Sequence, residues 1–412
     1  MAFSKAQKSW LAYDPALSAY AMIVRTVAAP LFLATYAQGV LSEAQSTEYW
    51  GYTCSIAGLA AGAISVFSGP KIDAGNKKVL TVALFTLTGV LSTLAYTAIF
   101  CIKNSLLIPY IIISISFSGI ISFMGANSFY DSLLINITTR KERDTVSSWG
   151  FALGYAGALI SFLCCLPLMS IAGGKYFFTG AFIIAALWWG LGSLPLLKNV
   201  REKTVVAADR IKLTDTLRFV CKEKNILLFL LAYFLYIDGV GTIMMQAALI
   251  AKGLQLSNSK IMLTILALQV IGMPFTLLFG FLAKIFSAKK MILTAISIYI
   301  IIAILVTIMS FCPAAEIRVW LFYAAAGAIG MVQGGIQSLS RSVFSMIIPA
   351  GRAAELFAVY NIFGRFTTII GPLVMIPFAV HLWGKAELGI SLMILPFACG
   401  AFLLTKVKVP EN

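Results

Sequence analysis

Charged residues are scarce in this chain: 11% of its 412 residues are Asp, Glu, Lys or Arg, while 60% are hydrophobic. Soluble domains carry roughly 25% charged residues. A water-exposed fold of this length could not cover its surface with so few, so the solvent around most of the chain is lipid. Histidine is nearly absent. His381 stands alone, which cannot complete a zinc site and leaves little for imidazole-based catalysis. The seven cysteines, at 54, 101, 164, 165, 221, 312 and 399, show no metal-ligand spacing. They read as small apolar packing residues, and no cofactor is expected. No cleavable leader is expected either. Met1 to Trp10 is polar and basic, but the apolar run behind it is too long for a signal peptide, so the first span reads as an anchor. Acid is short relative to base, 16 residues against 31, for a net charge of +15. The basic residues alternate between loops instead of forming one patch, so nucleic acid is not an expected partner.

What the chain has in quantity is long apolar runs. A spanning helix needs about 20 apolar residues. Runs of that kind predict twelve spans, at 16–41, 50–69, 79–102, 106–129, 147–172, 176–197, 226–251, 259–283, 290–312, 318–338, 355–381 and 386–406. An even number puts both termini on one side. Loops on that side carry Lys5, Lys8, Lys71, Lys77, Lys78, Arg140, Lys141, Arg143, Lys284, Lys289, Lys290, Arg341, Arg352, Lys406 and Lys408. The opposite side has only Lys103, Lys175, Lys252, Lys260, Arg318 and Lys385. The positive-inside rule then makes both termini cytoplasmic, in a plasma (inner) membrane protein.

The longest polar segment, 198–225, is basic and divides the spans six and six. The expected organisation is an N-terminal six-helix bundle (1–197), a cytoplasmic linker (198–225) and a C-terminal six-helix bundle (226–412). An internal repeat supports that division. Asn127 and Asp131 precede Ser132-Leu133 at the end of the fourth span; Gln333 and Gln337 precede Ser338-Leu339 at the end of the tenth. Gly154-Tyr155 and Gly364-Arg365 follow at matching places.

The loop Gly69-Pro70-Lys71-Ile72-Asp73-Ala74-Gly75-Asn76-Lys77-Lys78 resembles the signature loop of the major facilitator superfamily. Physically, Gly69 permits close helix approach. Asp73 can accept from a helix N-terminus or pair with a loop arginine, latching the two bundles. The second half has Gly280, then Lys284 where the Asp would stand, so the latch is expected to be one-sided. Further stretches point to one branch: Trp10 to Tyr20, Gly150 to Gly157, Asp238-Gly239-Val240-Gly241-Thr242, Gln333-Gly334-Gly335-Ile336-Gln337-Ser338-Leu339-Ser340-Arg341-Ser342, and Glu355 to Pro372. Together they resemble the vacuolar amino-acid effluxer (autophagy-related protein 22-like) family and its bacterial relatives, with Pro15 and Leu17 where that family usually has Trp and Asn. The resemblance implies an all-α membrane protein of the major facilitator type, amino-acid efflux, and a central cavity that includes the first and seventh spans.

Charges inside the membrane cost at least a few kcal/mol each and mark function. Arg25, Asp238 and Arg365 each fall roughly 13 to 18 Å into their predicted spans, which suggests one shared aqueous cavity. Arg25 or Arg365 is read as the group that binds a carboxylate or phosphate. Asp238 either pairs with the other arginine or carries a coupling proton. Tyr155, Gln246, Gln269, Tyr360 and Asn361 are candidate solute contacts. Asp73, Asn127, Asp131, Gln333, Gln337 and Arg341 are candidate gating residues. Asp14 has two readings: a gating residue, or a helix N-cap followed by Pro15 at the first helical position. An enzyme would need a catalytic set that one histidine and one clear mid-membrane carboxylate do not supply. The sequence thus favours a secondary transporter, expected to act as a monomer in the bilayer on a small carboxylate-bearing, amino-acid-like solute. Another organic or phosphorylated anion is the alternative solute, and a transport-inactive receptor the alternative function.

Overall fold

The structure is a computed structural model. It describes residues 3–102, 105–171, 174–202, 213–365, 375–383 and 388–410. Those residues are helical apart from short turns and connectors. In chain order the helices are α1, a continuous helical run over Lys5–Tyr36; α2, Glu43–Gly75; α3, Lys78–Ala98; α4, Ile108–Ser132; α5, Arg143–Ile171; α6, Gly174–Asn199; α7, Leu213–Lys222; α8, Lys224–Gly253; α9, Asn258–Phe286; α10, Ala288–Phe311; α11, Ala315–Ile347; α12, Ala353–Arg365; α13, Ile376–Trp383; and α14, Ile394–Lys406.

Eleven of the described helical segments are long and apolar enough to cross a membrane. The predicted span 355–381 falls partly on residues outside those described; α12 and α13 flank that stretch. The short helix α7 lies within the predicted linker.

Local sequence sets the helix ends. Ser4 with Gln7 and Ser42 with Gln45 form reciprocal capping boxes at the starts of α1 and α2, each satisfying backbone donors that have no partner inside the helix. Asn76 closes α2 in the left-handed conformation, with φ 48°, which asparagine tolerates better than most residues.

The side chains sort by lipid, not by water. On α3, Leu84, Leu87 and Leu91 are each more than half exposed along one face, while Thr86, Gly89 and Thr93 turn inward. Small inner residues let neighbouring backbones approach, the packing rule inside membranes. A methyl added at Gly89 would come within 2.3 Å of the Trp189 ring.

Two compact units make up the chain. Unit 1 comprises Met1–Thr138, Leu153–Leu213 and the short segment Pro349–Val359. Unit 2 comprises Thr139–Ala152, Thr214–Ile348 and Tyr360–Asn412. Each unit therefore joins most of one half of the sequence to the start of one helix from the other half.

In unit 1, α1 is anchored by aromatics. Trp10 stacks on Tyr130 at 4.4 Å and donates to its carbonyl at 3.1 Å. Tyr13 shares a 2.8 Å hydrogen bond with Thr86. Unit 2 has a comparable stack, with Tyr360 lying 4.2 Å from Tyr233 and 4.8 Å from Phe344 between ring centroids.

Candidate functional site

The middle of α1 departs from α geometry. Tyr20–Ala28 is π-helical, and Ala29 donates to the carbonyl of Val24 instead of Arg25. Thr26 also reaches back five residues, its hydroxyl donating to the carbonyl of Ala21 at 2.8 Å. Such wide turns occur often at functional sites. Arg25 sits within this one and is half-buried. Its guanidinium lies 6.0 Å from the centroid of the Phe123 ring, with the Cys54 side chain close enough to interact electrostatically. Among the described residues it forms no ion pair. Ala57 and Ala61 from α2, packed with Ile120 and Met124 from α4, let the helices carrying Cys54 and Phe123 close together beside it. Because α1 begins at Lys5, eleven residues before the predicted start, Arg25 lies past the midpoint of its helical run, nearer the Tyr36 end.

Asp14 is not an N-cap. It lies inside the helical run, buried, and its carboxylate accepts a 2.7 Å hydrogen bond from the Tyr130 hydroxyl. That places it in the aromatic anchor, because the helix already has its cap at Ser4. Pro15 explains a nearby glycine: a methyl on Gly157 would lie 2.3 Å from the Pro15 Cβ. Tyr155, two residues earlier on α5, is half-buried.

In unit 2, Asp238 sits in the middle of α8 and is 0% exposed. Thr242 and Gln246 follow at successive turns and are also buried, making one polar stripe at the i, i+4, i+8 spacing. Thr242 escaped the sequence reading as a site residue, although that spacing could have found it. Its hydroxyl has no hydrogen-bond partner among the described residues. Gln269 is half-buried on α9, and Asn361 is half-buried on α12. Tyr360 is buried in its aromatic stack. Arg365 ends α12, and its side chain lies outside the described residues.

Two polar clusters hold the helix starts that each unit takes from the other half. In unit 1, the Asp73 carboxylate accepts from the backbone N–H groups of Ala354 and Glu355, both at 3.0 Å, and pairs with Lys78 at 3.1 Å. Asp73 thus caps α12, where two otherwise orphan donors and the positive end of the helix dipole meet a carboxylate. Gly69 makes the approach possible: its Cβ would stand 2.6 Å from the Glu355 Cα.

In unit 2, Arg341 is buried and donates to the Ser147 hydroxyl at 2.9 Å and the Ser147 carbonyl at 3.0 Å, with its guanidinium 4.4 Å from the Phe151 ring centroid. Ser342 donates to Asp144 at 2.6 Å, and Arg143 donates to the Ser345 carbonyl at 2.7 Å. Gly280 repeats the role of Gly69, its Cβ falling 2.5 Å from that of Ser148. Lys284 is exposed.

The repeat is real but shifted by one turn from the sequence reading. The 3-10 turns Arg140–Glu142 and Ala350–Arg352, with the helices that start at Arg143 and Ala353, make Arg341 the counterpart of Asp131 in the repeat and Gln337 that of Asn127. An amphipathic helix presents similar residues every turn, so a four-residue slip leaves its pattern nearly intact. Asn127 donates to Asp131 at 3.3 Å within α4; Gln333 and Gln337 are half-buried. The cysteines are corrected too. Cys101, Cys164, Cys221 and Cys399 are exposed, and of the seven only Cys165 is buried.

The family whose sequence model matches residues 4–407 is described as "Vacuole effluxer Atg22 like". The chain belongs to that family. It is 34% identical, over all of its own length and 96% of the relative's, to an uncharacterized MFS-type transporter, YxiO, of Bacillus subtilis (strain 168). It is 25% identical to the autophagy-related protein 22 of Vanderwaltozyma polyspora, over 71% of this chain and 64% of that one. Two solved structures share the fold. The proton:xylose symporter XylE matches with a TM-score of 0.76 at 14% identity, over 99% of this chain and 96% of that one. The transporter FucP in its outward conformation matches with 0.74 at 10%, over 99% and 100%. The chain is a multi-pass membrane transporter of the major facilitator type, not an enzyme.

Proposed function

We propose that this transporter is a secondary carrier working by alternating access on a small carboxylate-bearing solute of amino-acid type, and that Arg25 binds the carboxylate. The observation that carries this reading is the guanidinium inside the membrane-spanning run, half-buried on a π-helical turn, with no ion pair among the described residues. A charge at that depth costs a few kcal/mol or more. An anionic solute offsets that cost, and a planar guanidinium can hold a carboxylate through two parallel hydrogen bonds. The family's description as an effluxer supports export. The higher identity to the bacterial relative than to the fungal one supports a plasma-membrane setting. Asp238, wholly buried on the polar stripe of α8, carries the coupling proton in this reading.

Counterflow of labelled amino acids in proteoliposomes tests it. The wild-type protein should show trans-acceleration, and Arg25→Gln should reduce exchange at least about tenfold, the loss of one charge-assisted pair. Asp238→Asn should keep counterflow but lose accumulation driven by a pH gradient. Unchanged exchange in Arg25→Gln would remove the assignment. Trans-acceleration with phosphorylated anions alone would favour the other solute class, and no exchange with any solute would point to a receptor.

A further inference from the structure

A cavity of about 290 Å³ lies wholly within unit 2, between the first turns of α9 and the facing part of α11. Its wall includes Lys260, Leu263, Thr264 and Ile271 from α9, and Tyr323 and Gly327 from α11. The space arises from Gly327. A methyl group added there meets no atom within 4 Å, whereas one turn further, at Gly330, it would meet Leu268 and Ile271 at 3.2 Å. The helices therefore approach closely at Gly330 and stand apart at Gly327, leaving a recess that is open on the side where Lys260 and Leu263 are exposed.

The lining decides the ligand. Among the described residues, Lys260 is the one charged residue that lines it, with no acidic side chain beside it. The Thr264 hydroxyl is engaged with the Lys260 carbonyl at 2.8 Å, and the remaining wall is leucine, isoleucine, alanine, glycine and one tyrosine ring. A cation would meet the ammonium without compensation. A small polar anion would leave the apolar wall unused, and burial of that wall is the main source of affinity in such sites. The volume is near the lower end of ligand sites, about 300 Å³, which suits one compact molecule and not a two-chain phospholipid.

We infer that this recess is a binding site for a small amphiphilic carboxylate, its head on Lys260 and its apolar body against Leu263, Ile271 and Tyr323. All of its residues belong to unit 2 and none of them carries the transport reading above, so binding there should persist in Arg25→Gln.

The test is saturable binding of tritiated 3-phenylpropanoate to the full-length protein in nanodiscs. Wild-type protein should bind it saturably, and the cation of the same shape, 3-phenylpropylammonium, should not bind. Lys260→Gln should weaken binding of the anion at least about fivefold, the loss of one charge partner. Gly327→Leu, which fills open space and removes a helix glycine, should abolish binding with little change in melting temperature. Ala267→Leu fills the recess from the α9 side and serves as the second filling variant. The inference is overturned by the absence of saturable binding to wild type, by equal binding of anion and cation, by undiminished binding in Lys260→Gln, or by undiminished binding in a correctly folded filling variant.

Discussion

Asp73 shows how much one side chain can settle. It satisfies two backbone donors of α12, and it also holds Lys78, whose side chain is 5% exposed. Removing the cap alone costs about 1 kcal/mol. Asp73→Asn does more than that, because it leaves the Lys78 ammonium buried without its counter-charge, and uncompensated buried charges cost several kcal/mol. The expected order of thermal stability is wild type, then the double variant Asp73→Asn with Lys78→Gln, then Asp73→Asn alone. Melting in detergent measures it. A double variant less stable than the single would show that Lys78 finds another anion or reaches water. Sequence reading found Asp73 through the signature-like loop it stands in and left its partner open between a helix N-terminus and a loop arginine; the structure gives it the helix N-terminus, with Lys78 as the cation. Sequence reading missed Cys54 and Phe123 beside Arg25, because apolar residues in apolar spans carry no signal of which charge they face.

At the scale of the helix, hydropathy located the spans but cut several of them short. The tenth span was expected at 318–338, yet α11 runs on to Ile347; the first was expected from residue 16, yet α1 starts at Lys5. Both extensions are rich in polar residues and buried by protein. Apolar windows report contact with lipid, so a helix that leaves lipid to pack on polar protein surface disappears from them. The serines of α11 show the logic. Ser338, Ser340, Ser342 and Ser345 are all buried, and Arg341 is packed among them on Ser147 and Phe151. The guanidinium uses its planar fork and its face at once, which an ammonium cannot do. Arg341→Lys should therefore destabilise the protein by about 2 kcal/mol, whereas Ser340→Ala, which loses one bond to Tyr236, should cost about 1 kcal/mol. Chemical denaturation in detergent compares them. Equal losses would mean that charge alone, and not the fork, holds Arg341.

Across the whole molecule the basic residues record how the chain was inserted. Loops on the terminal side carry most of the 31 Lys and Arg residues, and the other side carries few. The bias acts during insertion, because translocating a cationic loop is disfavoured. The fold leaves a different mark on each side. The polar clusters of Asp73 and Arg341 lie at helix ends on the terminal side of the chain's alternation, and the recess at Lys260 begins at the opposite end of α9. Orientation is thus open to a direct measurement. In a background with all seven native cysteines replaced, Lys71→Cys and Lys175→Cys place single thiols at exposed positions near helix ends of opposite side. A membrane-impermeant maleimide added to intact cells should label the thiol at 175 and leave the thiol at 71 unlabelled until the membrane is opened. The reverse pattern would put both termini outside and would turn the Lys260 recess toward the cytoplasm, so that a ligand for it would have to come from within the cell.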